Sequence, residues 1–195
     1  MLKNTYFGVI LSLLLLGCVY HSAPKEDIYF AKITDIGALK GIYQNEGDPE
    51  GYLSEFIFGY APLIQIHNNE EIEHSDIDLI EVNVLGHVVT AKAVKGKCYV
   101  YEKEYIFGKD LELINGEIVL KQDFSLLTRG SGDVLVGPSY EKIAIGLDAK
   151  GDGVYSNKAY AAGLVFLLFP AAFAGTQEIR FNKSDDYTSY RVCDS

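Results

Sequence analysis

The sequence predicts an all-β fold, a single antiparallel β-barrel or sandwich with one or two short helices. Strand-like runs recur at roughly ten-residue spacing with glycine-rich turns between them, the rhythm of sandwiches and small barrels. Asn115-Gly116 separates two short apolar runs. That dipeptide suits a type I′ hairpin, because both central residues need positive φ. Long helical periodicity, fixed-period repeats and low-complexity segments are absent, so one domain is expected.

The elements follow in order. Residues 19–27, VYHSAPKED, are polar with one proline and read as a tether; the folded part begins near Tyr29. Segment 33–47 starts with a short helical turn and enters a strand at Gly41-Ile42-Tyr43. Segment 51–58 is short and apolar, a helical turn or a strand, with helix favoured. Residues 67–76, HNNEEIEHSD, form a polar acidic loop. Between Asp76 and Leu85 both parities carry apolar residues, as in a mostly buried strand. Gly86-His87 turns into a strand over 88–94, Gly96 breaks it, and 98–107 follows, rich in Tyr and β-branched residues. The 111–120 hairpin comes next. Residues 128–138 are loop-like, 140–147 a strand, 148–153 a turn, and a strand begins at Val154. Segments 177–182 and 187–192 supply one or two more.

Ala159 to Gly175 carries no charge across seventeen residues. Gly163 and Pro170 interrupt it as a helix. Three readings are open. It is a buried strand that turns near Pro170 to Gly175 and returns through Ile179; or a membrane-facing hairpin or short helix; or the lining of an apolar ligand cavity. A long exposed apolar patch normally marks an interaction site. The candidate contact residues for an apolar ligand or membrane are Leu164, Val165, Phe166, Leu167, Leu168, Phe169 and Phe173.

At the N-terminus, Lys3 precedes an apolar run from Tyr6 to Leu16 that ends in Leu15-Leu16-Gly17-Cys18. The run has the length of a signal-peptide core and is too short for a bilayer span, which takes about 20 apolar residues. With Leu15 and Gly17 before the cysteine, this stretch resembles a bacterial lipoprotein signal. The resemblance implies removal of residues 1–17, lipidation of Cys18, a lipidated tether over 18–28 and a β domain over 29–195. Several acyl chains anchor a protein effectively irreversibly where one is marginal. Val19 after the cysteine, in place of the Asp that retains enterobacterial lipoproteins in the inner membrane, implies for a Gram-negative source the inner leaflet of the outer membrane, facing the periplasm.

The net charge is −10. Loss of Lys3 with the signal leaves 16 basic against 27 acidic residues, or −11. This disfavours nucleic acid, which needs clustered Lys and Arg, and electrostatic docking on anionic lipid. The acidity suits solubility or, alternatively, capture of a basic partner. Cys98 and Cys193 are free to pair in an exported protein, closing a long loop; two buried thiols are the other possibility. Two isolated cysteines without CxxC spacing do not point to a metal.

Little else carries chemistry. Asp148, Asp152 and Gly153 fall at calcium-loop positions one, five and six, but Lys150 and Ala159 occupy positions that need oxygen ligands. His67 and His74 flank the acidic loop near Glu70, Glu71 and Asp76 without metal-helix spacing, so no metal is expected. Gly130-Ser131-Gly132 falls short of a nucleophile elbow, and no phosphate or dinucleotide loop exists. No enzyme activity and no cofactor are expected. Tyr99, Tyr101 and Tyr105 share one strand parity, for cross-strand packing or a binding face.

Gly41-Ile42-Tyr43 resembles the lipocalin G-x-W start with Tyr for Trp, and Asp186-Tyr187 resembles the later T-D-Y motif. This implies a lipocalin-like architecture. Leu39, Gly41, Tyr43 and Asn45, together with the signal, resemble the start of small envelope lipoproteins with β-rich bodies, a resemblance that implies no particular activity. The expected function is a non-enzymatic, lipid-anchored envelope lipoprotein that binds an apolar ligand or supports envelope structure. The alternative is an inhibitor or immunity-type lipoprotein that binds a basic protein.

Overall fold

The structure is a computed structural model that describes residues 18–26, 29–59, 61, 63–66, 70–121, 126–127, 135–165, 169–185 and 190–192. The expected signal (1–17), His67, Gly130-Ser131-Gly132, Phe166, Leu167, Leu168, Asp186-Tyr187 and Cys193 lie outside the described residues.

The chain is mostly strand. In order it forms β1 (Cys18–Ser22), β2 (Gly41–Gln44), helix α1 (Leu53–Phe58), β3 (Leu63–Gln65), β4 (Glu71–Glu73), β5 (Leu79–Leu85), β6 (Val88–Lys95), β7 (Cys98–Ile106), β8 (Leu111–Ile114) and β9 (Glu117–Leu120). There follow β10 (Leu126–Leu127), β11 (Leu135–Leu147), β12 (Gly153–Val165), β13 (Phe169–Phe181), β14 (Lys183–Ser184) and β15 (Arg191–Val192). Single 3-10 turns cover Ile36–Leu39 and His74–Asp76. The first is capped by Asp35, whose carboxylate accepts from the Gly37 N–H at 3.0 Å.

The strands lie in three sheets. A seven-stranded sheet runs β1-β13-β12-β11-β9-β8, with β10 also paired to β11. A six-stranded sheet runs β14-β2-β5-β6-β7-β15, and β3 pairs with β4. The all-β expectation holds at this level, but the barrel and the lipocalin-like closure do not. Closure requires the two edge strands of one sheet to pair with a fixed stagger. Here β1 and β8 end one sheet and β14 and β15 the other, and no ladder among the described residues joins them.

Locally encoded elements match their expectations. Asn115 and Gly116 take φ of 55° and 92° between β8 and β9. Gly116 is also required by space, since a Cβ there would lie 3.0 Å from the Lys32 Cα. Helix α1 ends at Gly59, whose φ of 112° suits glycine. Elsewhere the chain departs from expectation. The acidic loop contains β4 and a 3-10 turn. β5 buries only Ile80 and Val82, leaving Leu85 exposed at its end. The tether expected over 18–28 is shorter, because residues 18–22 form β1 beside β13. The turn expected at Pro170 to Gly175 is absent: those residues lie within β13.

The chain divides into two compact units. A hairpin unit comprises Met1–His21, Gln122–Ile143 and Asn157–Gln177; a main unit comprises Ser22–Lys121, Ala144–Ser156 and Glu178–Ser195. β11, β12 and β13 contribute residues to both. The main unit holds the core, with Ile42, Tyr43, Ile80, Ala93, Val94, Leu111, Ile118, Tyr155, Ile179 and Phe181 all buried. Phe56 of α1 stacks on Tyr155 with ring centroids 3.8 Å apart and meets Phe181 at 6.1 Å. The far end of α1 is tied down by Lys103, which donates to the Ile57 carbonyl at 2.9 Å, and by the Tyr105 hydroxyl on the same oxygen. Those bonds satisfy a carbonyl that a helix C-terminus leaves open.

Candidate functional site

The hairpin unit is where the sequence and the structure depart most from an ordinary core. Past Lys158, β12 has no charged residue, and β13 has none before Glu178. On β11 the run Leu135–Tyr140 is likewise uncharged, and Glu141 and Lys142 follow it. Along β11, β12 and β13 themselves, the charges in this unit therefore sit near the residues where each strand leaves it; Arg129 and Asp133 precede β11. The aromatic and β-branched residues of these runs favour strand while their Ala, Gly and Pro residues do not, and nothing in the pattern says which face is covered.

The structure decides that point. On β12, Lys158, Ala159 and Tyr160 are all exposed, as are Ala172 and Phe173 on β13. Successive strand residues point to opposite faces, so three consecutive exposed positions mean that neither face is covered there. Tyr160 is 51% exposed and Phe173 42%. Exposed Tyr140 lies across from Tyr160, their rings 6.3 Å apart and tilted by 33°. The buried-strand reading of 159–175 thus fails at its described side chains. Of the candidate contact residues, Leu164, Val165 and Phe169 fall in the facing strands β12 and β13, and Phe173 is solvent-exposed on β13.

Cys18, the residue expected to carry lipid, begins β1, which pairs with β13. The structure therefore places the start of the expected mature chain in the same unit as the uncharged hairpin. Val19 and Tyr20, which follow it, are strongly exposed. No helix among the described residues is long and apolar enough to cross a membrane.

The other candidates resolve into structural roles. His74 is buried, its Nδ1 2.9 Å from the Ser54 Oγ and its Nε2 2.9 Å from the Ala61 carbonyl. A carbonyl only accepts, so Nε2 carries the proton, and in the neutral ring Nδ1 accepts from Ser54. A serine beside an imidazole is a nucleophile arrangement in principle. Ser54 is 0% exposed, however, so the pair is enclosed in the core. Asn45 completes the cluster: its amide donates to the His74 and Ile77 carbonyls at 2.7 and 2.9 Å and accepts from the Ser54 N–H at 2.8 Å. Sequence reasoning missed this network. Its only trace was Asn45 closing the Leu39-Gly41-Tyr43 series, with nothing local to pair it with His74.

Asp148 spends its carboxylate on the Lys150 and Asp152 N–H groups at 2.8 and 3.0 Å, which explains the turn at 148–153. Among the described residues no group of three His, Cys, Asp or Glu side chains could hold a metal ion. The tyrosines of β7 pack as neighbours. Tyr99 donates to Glu81, meets Tyr190 edge-on at 5.9 Å and lies under Lys92; Tyr101 meets Phe58 at 5.0 Å. Burial, and for Tyr99 the Glu81 carboxylate as well, pushes the Tyr99 and Tyr105 phenols up to about 12. Tyr43, deeper still, is raised further by burial, then by Asp152.

A second polar cluster gathers Glu26, Arg180, Lys150 and Asp48. Glu26 bonds Lys150 at 2.9 Å and Arg180 at 3.1 Å, and Arg180 lies 3.9 Å from Asp48. The hydrogen bonds from Lys150 and then Arg180 hold the Glu26 carboxyl below its usual range. This cluster ties the segment after β1 to β13 within the main unit. Cys98 is disulfide-bonded. Its expected partner Cys193 lies two residues after Arg191, whose Cα pairs with that of Cys98 in the β7–β15 ladder.

No protein-family model, curated protein or solved structure matches this chain. The functional reading rests on its own residues.

Proposed function

We propose that this chain is a non-enzymatic envelope lipoprotein whose hairpin unit binds an apolar ligand. It is cut before Cys18, acylated there, and in a Gram-negative host faces the periplasm from the inner leaflet of the outer membrane. The observation that carries the reading is the β12–β13 pair, uncharged past Lys158 and before Glu178 and open on both faces at 158–160, with β1 and Cys18 alongside it. A soluble domain rarely leaves such a surface bare without a partner for it. The Cys98 disulfide supports an oxidising compartment, where such bonds persist. The acidic balance leaves acyl chains and apolar contact as the means of attachment.

The test has two arms. Intact-mass analysis of the mature protein, with and without Cys18→Ala, is expected to show acyl mass only on the cysteine-bearing form. The unacylated mature chain is expected to bind a hydrophobic dye or lysophospholipid monomer saturably, and Phe173→Ser to weaken that binding. An unmodified N-terminus removes the anchor, and absence of saturable binding removes the apolar-ligand role.

A further inference from the structure

We propose that the apolar partner of the hairpin unit is the lipid leaflet itself, the same leaflet that takes the acyl chains of Cys18. This deepens the reading above and rests on it.

The length of the uncharged strands sets the geometry. A strand that crosses a bilayer takes about 9–11 residues. The uncharged part of β12 is the seven residues 159–165, about 23 Å at roughly 3.3 Å per residue. That is too short to span the hydrocarbon and suits one leaflet of about 15 Å when the strand is tilted. Backbone groups entering lipid must already be paired. β13 lies between β12 and β1, and β12 between β13 and β11, so neither strand of the hairpin is a sheet edge.

Side chains are ordered as an interface requires. Tyr140 and Tyr160 adjoin Glu141, Lys142 and Lys158, where the charged residues stop. Tyrosine favours that boundary because its ring is apolar and its hydroxyl stays wet. On β12 and β13, residues 161–165 and 169–175 have no polar side chain to keep in water. Because β1 starts in this unit, acyl chains on Cys18 and the hairpin enter the membrane together. The attachment is apolar: a mature chain with 16 basic and 27 acidic residues, or −11, gains nothing from anionic lipid.

The chain has no tryptophan, so Phe173→Trp in the mature Cys18→Ala protein gives one indole reporter. The probes are phosphatidylcholine vesicles with and without brominated acyl chains, and lysophosphatidylcholine monomer. The inference expects a blue shift with vesicles, quenching by the brominated chains, and co-flotation of protein with lipid. It expects less than about a twofold change in bound fraction on raising salt, because screening acts on charges. Ala162→Asp should lower the vesicle-bound fraction about tenfold or more, since a carboxylate is costly in hydrocarbon. Unchanged circular dichroism of that variant separates lost contact from lost fold. If Ala162→Asp misfolds, quenching of the indole in the Phe173→Trp protein still decides. Emission unmoved by vesicles, or binding that salt abolishes, overturns the inference. If lysolipid monomer then still binds saturably, the ligand reading survives alone; if it does not, both fall.

Discussion

Tyr155 and Tyr160 stand five residues apart on β12, one wholly buried and the other 51% exposed. On β13 the contrast falls on a single face: Phe181 and Phe173 are an even number of residues apart, yet one is 1% and the other 42% exposed. In the main unit, Val154, Tyr155 and Ser156 are buried in succession, so both faces are covered; in the hairpin unit, Lys158, Ala159 and Tyr160 are exposed in succession. Aromatic content does not separate the two stretches, since each carries a tyrosine. Coverage does: Phe56 of α1 stacks on Tyr155 and meets Phe181, and among the described residues nothing comparable covers Phe173. An aromatic on a strand is core or contact surface according to what the rest of the chain lays against it.

The comparison predicts opposite responses to substitution. Tyr155→Ala should destabilise the protein by about 3–5 kcal/mol, the usual cost of removing a buried aromatic, read by urea unfolding. Stability near wild type would mean that the Phe56 stack is dispensable. The Cys98 disulfide should contribute about 2–4 kcal/mol. Cys98→Ser should lower the unfolding midpoint, and peptide mapping without reductant should join Cys98 to Cys193; a link to any other cysteine breaks the pairing. Asn45→Ala removes a donor from the His74 and Ile77 carbonyls and the acceptor of the Ser54 N–H, leaving the His74 carbonyl with the Ile77 N–H, and should cost about 1–3 kcal/mol.

Alkali gives a finer probe of the main unit. The Tyr99 and Tyr105 phenols are raised from 10.0 to about 12, so the folded state favours their protonated forms. Their stabilising contribution is complete below pH 10.0 and is lost as pH rises towards 12. Phenolate absorbance should show ionisation delayed to about pH 12, and Tyr99→Phe and Tyr105→Phe should each remove part of that delayed step. The smallest effect belongs to the hairpin unit. Tyr160→Ser and Phe173→Ser should change unfolding free energy by no more than about 0.5 kcal/mol, while lowering vesicle association. A large loss of stability from either would mean that the hairpin is core after all.

What was legible in the sequence was local. Asn115-Gly116 specified its own turn through backbone conformation, the 3-10 turn and β2 followed the 33–47 pattern, and α1 followed from 51–58. Sheet order was not legible, because β14 reaches β2 across more than a hundred residues and β15 adds to β7 in parallel. A barrel and two open sheets share the same alternation and turn chemistry; only pairing between distant strands distinguishes them. Asn45 and His74 were invisible as a pair for the same reason, being 29 residues apart.

The sequence by itself determined the strand-rich class, the hairpin turn, the charge-free stretch over 159–175 and the apolar run that ends in Leu15-Leu16-Gly17-Cys18, since these depend on composition and neighbours in the chain. The tertiary structure decided which half of β12 and β13 is buried, that Cys18 opens a strand beside β13, and that the sheets stay open. Burial and pairing depend on what distant segments bring to a surface, and a strand's own residues fix its two faces without fixing what covers them.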